Sequence, residues 1–136
     1  MSQSPIIRFD SDGPEGSGLQ FLGNLESENV LAGNPVETGH VYFKDAGGEM
    51  SAGVWECTAC TSEIASQPMH EFCLILSGEA TITDGDGTAQ TFKAGDSFLI
   101  PMCTKNTWHI PETVRKYFVL FGNKASQAPV ESEAAE

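Results

Sequence analysis

A glutamate at the start of an apolar segment is the residue with the clearest chemical potential in this sequence. Glu71 opens the run E-F-C-L-I-L-S, and in an extended strand its side chain shares a face with that of Cys73. A buried carboxylate is costly unless a cation, a metal, hydrogen-bond donors or a proton accompanies it. On a strand predicted at 113–121, alternation places Lys116 among apolar side chains. We therefore expect Lys116 to point inward and to pair with Glu71.

A paired carboxylate and ammonium in a pocket are suited to acid and base catalysis. The sequence thus predicts Glu71 and Lys116 as catalytic residues; a purely structural ion pair, or a Lys116 that reaches solvent, stays open as an alternative. Alternation adds two tryptophans and an amide to the same interior, and core packing is the alternative role for the tryptophans. The predicted ligand-binding residues are Trp55, Glu71, Cys73, Asn106, Trp108 and Lys116.

The elements that must position these residues are short strands. Period-two patterns with Gly or Pro at the turns predict strands at 40–44, 50–57, 61–66, 71–77, 81–83, 106–110 and 113–121, with short apolar patches at 6–9 and 19–22. Asp-Gly occurs twice in 84–87 and is typical of a hairpin turn. Residues 25–35 are predicted to form a loop with one helical turn. This pattern indicates an all-β sandwich or jelly roll.

Other patterns in the sequence point to ordinary structural roles. Cys57 and Cys60 have the spacing of zinc or redox cysteines, but they fall where a strand ends and no helix follows, so we expect structural thiols. His40 has no evident partner and is expected at the surface or at a sheet edge. The sequence contains no nucleophile elbow, Walker loop or dinucleotide-binding fingerprint.

Composition limits the class of protein. The chain has 136 residues, a length typical of one domain, and a formal net charge of -12. So acidic a surface repels phosphate backbones and anionic lipids, which excludes nucleic acid and membranes as expected partners. The start of the sequence lacks the apolar core of a signal peptide, so a cytoplasmic protein with reduced cysteines is expected. The predicted organisation is an N-terminal arm at 1–29 with edge strands, a barrel domain at 30–122, and a disordered acidic tail at 123–136.

Two spacings give the sequence a resemblance to a known superfamily. Glu71 and Gly78 are separated by six residues, and Gly95 and Pro101 by five, which resembles the two motifs of the cupins. The blocks G-V-W-E-C, A-G-D-S-F-L-I-P and T-W-H-I-P-E-T-V-R-K-Y resemble the ureidoglycine-aminohydrolase-type branch. The resemblance covers about residues 30–121. It implies a cupin jelly-roll barrel, commonly a homodimer, with a small-molecule pocket in the barrel mouth.

The histidines that bind metal in cupins are absent from the matching positions. The His-x-His pair that precedes the motif glutamate corresponds to Ile64 and Ser66, or to Ala65 and Gln67, and the later histidine corresponds to Asn106. Strand alternation turns His70 and His109 away from the pocket. The sequence therefore predicts no metal-binding residues and no cofactor.

Two functions are consistent with these residues. The first is a metal-free module that binds or senses a small molecule around Glu71. The alternative is an enzyme that acts on a small polar amine, amide or ureide, as the resemblance implies, with Glu71 and Lys116 as acid and base or with a divalent metal. A third option is a degenerate cupin that is retained for its dimer interface.

Overall fold

Two antiparallel sheets form the protein. The computed structural model describes residues 5–25 and 29–122. Within these residues the strands are β1 (Gln20–Asn24), β2 (Val30–Gly33), β3 (Val36–Lys44), β4 (Met50–Cys57), β5 (Cys60–Ile64), β6 (His70–Ser77), β7 (Glu79–Asp84), β8 (Ala89–Lys93), β9 (Ser97–Ile100), β10 (Asn106–Ile110) and β11 (Val114–Phe121). The six-stranded sheet has the order β1-β3-β4-β11-β6-β9, and the five-stranded sheet has the order β2-β5-β10-β7-β8. This arrangement confirms the predicted all-β jelly roll.

Alternation along the strands builds the core between the two sheets. Lys116 on β11 lies between Trp55 on β4 and Ile75 on β6 in register, and all three side chains are buried. From the other sheet, Trp108 on β10 and Ile82 on β7 pack against the same core. Strands that bury one face therefore carry the candidate site residues to the centre of the molecule.

The glycine that ends β6 is required by the backbone. Gly78 has a φ of 76°, and a Cβ atom there would collide with the carbonyl oxygen of Thr113. A residue without a side chain accepts both the left-handed conformation and the close approach. Gly78 thus lets the chain pass directly from β6 in one sheet to β7 in the other, close to Thr113 and the start of β11.

Most predicted strands are present, with some shifts. β4 and β10 have the predicted bounds, whereas β3 begins at Val36, earlier than residue 40. The helical turn predicted within 25–35 stays a prediction, because residues 26–28 lie outside the described ones; Val30–Gly33, predicted as part of the loop, pairs with β5 as an edge strand. Propensity did not reveal this strand, since its partner is distant in sequence.

Within the N-terminal arm, Gln20–Asn24 forms the edge strand β1, whereas the earlier patch packs through its aromatic residue instead of pairing as a strand. Residues 6–9 form no strand in the described structure; the ring of Phe9 stacks on Tyr42 at 4.8 Å between centroids and meets Tyr117 edge-on at 5.5 Å. Arg115 holds the following turn, because its Nη1 donates to Asp12 Oδ1 at 2.6 Å. The arm is therefore attached to the outer face of the six-stranded sheet. The domain boundaries drawn at residues 29 and 122 remain predictions, and the predicted disordered tail lies outside the described residues.

Part of that outer face is apolar and open in the single chain. Phe72 on β6 is 41% exposed, and its register neighbour Leu99 on β9 is 50% exposed. The expected homodimer remains a prediction for this face. Among the described residues, no helix is long and apolar enough to cross a membrane.

Candidate functional site

A fully buried ion pair lies between the two sheets. Lys116 Nζ and Glu71 Oε2 are 2.6 Å apart, and both side chains are completely shielded from solvent. They come from adjacent strands, β11 and β6, which pair with an irregularity in register beside Lys116. Each charge offsets the desolvation cost of the other, so neither is an isolated buried ion. The pairing expected from the sequence is thus present.

Two indoles and a thiol complete the surroundings of the ammonium. Lys116 Nζ lies 4.5 Å from the centroid of the Trp55 ring and 4.4 Å from that of Trp108, within cation–π range. The thiol of Cys73 is 3.4 Å from Glu71 Oε2 and 3.5 Å from Lys116 Nζ. Burial lowers the pKa of Lys116, but the charge of the Glu71 carboxylate and the hydrogen bonds with Glu71 and Cys73 outweigh burial and raise that pKa above its usual value. Burial also raises the pKa of the Cys73 thiol, so the thiol keeps its proton and donates.

A second buried carboxyl group, that of Glu37, contacts one of the two tryptophans. Glu37 on β3 accepts a hydrogen bond of 2.6 Å from Trp55 Nε1 and is 9% exposed. Burial raises the pKa of Glu37 to about 7, while the Trp55 hydrogen bond and the charge of Lys116 act in the opposite direction. Glu37 therefore changes its charge near neutral pH. The charge of Lys116 only partly offsets the effect of burial, because Lys116 is already paired with Glu71.

Amide side chains extend the site away from the ion pair. Gln67 Nε2 donates to Glu71 Oε1 at 3.2 Å, and Asn106 Nδ2 donates to Gln67 Oε1 at 3.0 Å. Trp108 Nε1 then donates to Asn106 Oδ1 at 2.9 Å. These bonds join Lys116, Glu71, Gln67, Asn106 and Trp108 into one buried network. Each member makes at least one hydrogen bond within the network, which holds these side chains in place in a low-dielectric interior.

An open cavity of about 480 Å³ adjoins this network between the edges of the two sheets. Stacked Phe92 and Phe98, with centroids 4.1 Å apart, contribute to its wall. Strands β7 to β10 and their loops supply the rest of the lining: Ile82, Asp84, Gly85, Asp86, Gln90, Leu99, Ile100, Pro101, Thr104, Lys105 and Asn106. The volume is within the range of small-molecule sites.

The structure brings all six predicted site residues together but opens only one of them to the cavity. Asn106 lines the cavity, whereas Glu71 and Lys116 are sealed behind it and make no part of its lining. Gln67 and Glu37 also contact the site residues, although no strand pattern in the sequence predicts it. Gln67 precedes a proline, so the sequence indicates a loop there and gives no direction for the Gln67 side chain. Glu37 preceded the predicted start of β3, so no inward face was assigned to it.

The remaining cysteines and histidines serve local structure. Cys57 and Cys60 are buried free thiols in contact; a hydrogen bond with Cys60 and burial raise the pKa of Cys57, and the same bond lowers that of Cys60. His70 Nδ1 accepts the backbone N–H of Met102 at 2.9 Å. His109 is exposed and bonds Thr61 Oγ1 at 2.9 Å. His40 lies 3.4 Å from Gln20 on the edge strand β1.

The site does not fit the metal ion that many cupins bind. In the part of the chain that the structure describes, no group of three His, Cys, Asp or Glu side chains converges on one point. The motif carboxylate of Glu71 is already engaged by an ammonium, a thiol and an amide. A divalent ion requires three or four ligands and repels the Lys116 charge.

We expect metal analysis of untagged protein to find far less than one ion per chain. A chelator should leave the melting temperature unchanged, because metal binding is not linked to folding here. Stoichiometric manganese, iron, nickel or zinc that depends on Glu71 would contradict this reading.

A protein-family model matches the strands that build the site. The model of the EutQ-like cupin domain matches residues 44–118, more than half of the sequence, and this span contains β4 to β10 and most of β11. The chain belongs to the EutQ-like cupin family. A search of curated proteins finds no match.

Solved structures support the same fold at low sequence identity. A Pseudomonas syringae protein of unknown function is 18% identical with a TM-score of 0.74, over 82% of this chain and 46% of that one, so the chain spans less than half of its length. The Clostridium difficile EutQ protein is 20% identical with a TM-score of 0.56, covering 71% and 79%. A Salmonella typhimurium protein, described as a putative ethanolamine utilization protein, is 18% identical with a TM-score of 0.57, covering 76% and 94%. At these identities the likeness concerns the fold alone.

Proposed function

We propose that this EutQ-like cupin binds a small molecule in the open cavity without the help of a metal. The observation that carries the proposal is a cavity of about 480 Å³ with a wall of stacked phenylalanines and a buried amide, Asn106, at its inner end. Apolar walls with a few fixed polar groups are the usual make-up of a small-molecule site. The buried network behind Asn106 keeps that polar group in place.

The charges at the cavity favour neutral or cationic ligands. Asp84 and Asp86 lie at the β7–β8 turn, and Lys105, which lies beside Gly85 of the same turn, is paired with Glu63 at 3.0 Å. With a net charge of -12, the whole chain adds to this negative potential. We therefore propose neutral amides and amines as the ligand class, ahead of carboxylates or phosphates.

Catalysis is the second candidate, favoured by the contact of Lys116, Glu71 and Cys73. It corresponds to the ureidoglycine-aminohydrolase-type activity on a small amine, amide or ureide that the sequence resemblance implies. Acid and base catalysts must lie within hydrogen-bond reach of the substrate. Since Glu71 and Lys116 are fully buried and Asn106 separates them from the cavity, binding is the better-supported function.

A thermal-shift screen of neutral and cationic small molecules tests the binding function. Ethanolamine belongs in the panel because one structural neighbour is described as a putative ethanolamine utilization protein. A ligand present at a hundredfold excess over its Kd stabilises the fold by about 2.7 kcal/mol, which is a shift of several degrees. Gln90→Trp should abolish the shift, because the indole fills the cavity from an exposed position on β8.

Thr91→Trp is the matched control, since Thr91 is the exposed neighbour on the opposite face of β8, where it bonds Thr81. It should leave every shift unchanged. Shifts that persist in Gln90→Trp, or a panel without any shift, would overturn the cavity assignment. Release of ammonia from an amide or ureide by the wild type, lost in Lys116→Met, would instead favour the enzyme.

A further inference from the structure

Gln67 links the ion pair to the cavity and has a second attachment through its backbone. Its side chain lies between Glu71 and Asn106 and is 1% exposed. Its backbone N–H donates to the Thr104 carbonyl, and its carbonyl accepts from the Cys103 N–H, both at 2.8 Å. Gln67 is therefore fixed at both ends, and Thr104 is itself a lining residue of the cavity.

The two ends of the network determine the orientation of both amides. As the partner of an ammonium, the Glu71 carboxylate only accepts hydrogen bonds, so the nitrogen of Gln67 must face it. Gln67 then presents its oxygen to Asn106, and the nitrogen of Asn106 must face that oxygen. At the far end the indole of Trp108 only donates, which requires the oxygen of Asn106. A flip of either amide would oppose two donors or two acceptors.

The hydrogen-bond donor and acceptor that Asn106 does not use within the network can therefore be identified. Each amide group has two N–H donors and two acceptor positions. Asn106 uses one of each within the network and is 2% exposed, yet it lines the cavity. What remains toward a ligand is one donor and one acceptor on the same planar group. A primary carboxamide carries the complementary acceptor and donor, as does the amino-heteroaromatic edge that asparagine recognises bidentately in nucleic acids.

The walls of the cavity select the shape of the group that carries this edge. Phe92 and Phe98 stack with an interplanar angle of 27°, and Phe98 lies 5.9 Å from Trp108. A planar ring packs well against such aromatic surfaces. Building on the proposed function, we propose that Gln67 fixes the hydrogen-bonding polarity of Asn106 and that the cavity thereby recognises the carboxamide edge of a planar aromatic ligand.

The experiment compares three probes of nearly equal size in calorimetric titrations of the full chain. Benzamide offers an acceptor and a donor, methyl benzoate offers only acceptors, and benzoate adds a negative charge. We expect benzamide to bind about tenfold or more tightly than methyl benzoate, because the ester leaves a buried hydrogen-bonding group of Asn106 unpaired. Benzoate should bind more weakly still, given Asp84 and Asp86 at the rim.

Variants of the two amides test the roles of Asn106 and Gln67. Asn106→Leu has a similar volume and no hydrogen-bonding group, so the preference for benzamide over methyl benzoate should disappear. Gln67→Met leaves Asn106 in place but removes the oxygen that holds its nitrogen, and the preference should fall several-fold. A role in packing alone would weaken both probes equally and leave their ratio unchanged. If either variant fails to fold, the comparison of probes with the wild type still decides whether the cavity prefers a carboxamide.

The outcomes separate this inference from the binding function. If benzamide and methyl benzoate bind equally, and Gln90→Trp removes both, the cavity stands and the carboxamide preference is wrong. If none of the three probes binds while other panel compounds do so in a Gln90-dependent way, the inference is again wrong and the binding function stands. If no compound of any class binds, both fall.

Discussion

Lys116→Met should lower the free energy of unfolding by about 3–5 kcal/mol, because it leaves the Glu71 carboxylate buried without its ammonium. The methionine keeps the apolar stem of the lysine, so the loss measures the charge and not a cavity. Total stability of a domain of this kind is about 5–15 kcal/mol, so the variant should remain folded in many conditions. Urea unfolding at 25 °C is the measurement.

Lys105→Met is the matched control. Lys105 also pairs with a glutamate, Glu63, at 3.0 Å, but its side chain is 57% exposed. A pair in water contributes about 0–1 kcal/mol, so this variant should stay close to the wild type. The double variant Glu71→Gln with Lys116→Met should cost less than the sum of the two single changes, since no unpaired charge remains. A Lys116→Met protein as stable as Lys105→Met would show that the buried pair has no energetic role.

Glu37→Gln should stabilise the protein at pH 8 and remove part of its pH dependence. The pKa of Glu37 rises from 4.5 to about 7 on folding, chiefly because of burial. Between these two values the folded state holds a proton that the unfolded state has released, so stability falls as the pH rises through this window. The loss contributed by Glu37 between pH 5 and pH 8 is roughly 2–3 kcal/mol. Glutamine still accepts the Trp55 N–H bond and carries no charge at either pH.

The comparison requires urea unfolding of the wild type and the variant at pH 5 and pH 8. The exposed Glu112→Gln variant serves as the control and should follow the wild type at both values. Other titrating groups affect all three proteins alike, so the decisive quantity is the difference between their pH slopes. Parallel slopes for Glu37→Gln and the wild type would place the titration of Glu37 outside this range.

Strand alternation is the rule by which most of the site residues could be predicted from the sequence. Counting from Glu71 places Cys73 inward, and the same rule on β11 selects Lys116, so two residues distant in sequence were expected to meet. The rule works here because both strands lie in the middle of a sheet and face a packed core. It holds less well at β2, an edge strand whose existence depends on β5 and not on its own composition.

The amides and their orientation were beyond what the sequence can predict. Gln67 lies in the segment between β5 and β6, where no period fixes the direction of a side chain. Its place depends on backbone bonds with Cys103 and Thr104, which only the tertiary fold brings near. The separation of Glu71 from the cavity has the same origin. Alternation tells which side of a sheet a residue occupies, but not which neighbours come between it and solvent.

The ammonium of Lys116 also determines where the positive charge of the site comes from. A charge carried by the chain itself is present in one equivalent as soon as the protein has folded, and it neither exchanges nor competes with other ions for its position. A cupin with a metal centre depends on the ions that its surroundings provide. In this protein, the positive charge beside the motif glutamate is a side chain of the protein itself, so its presence does not depend on the concentration of metal ions around the protein.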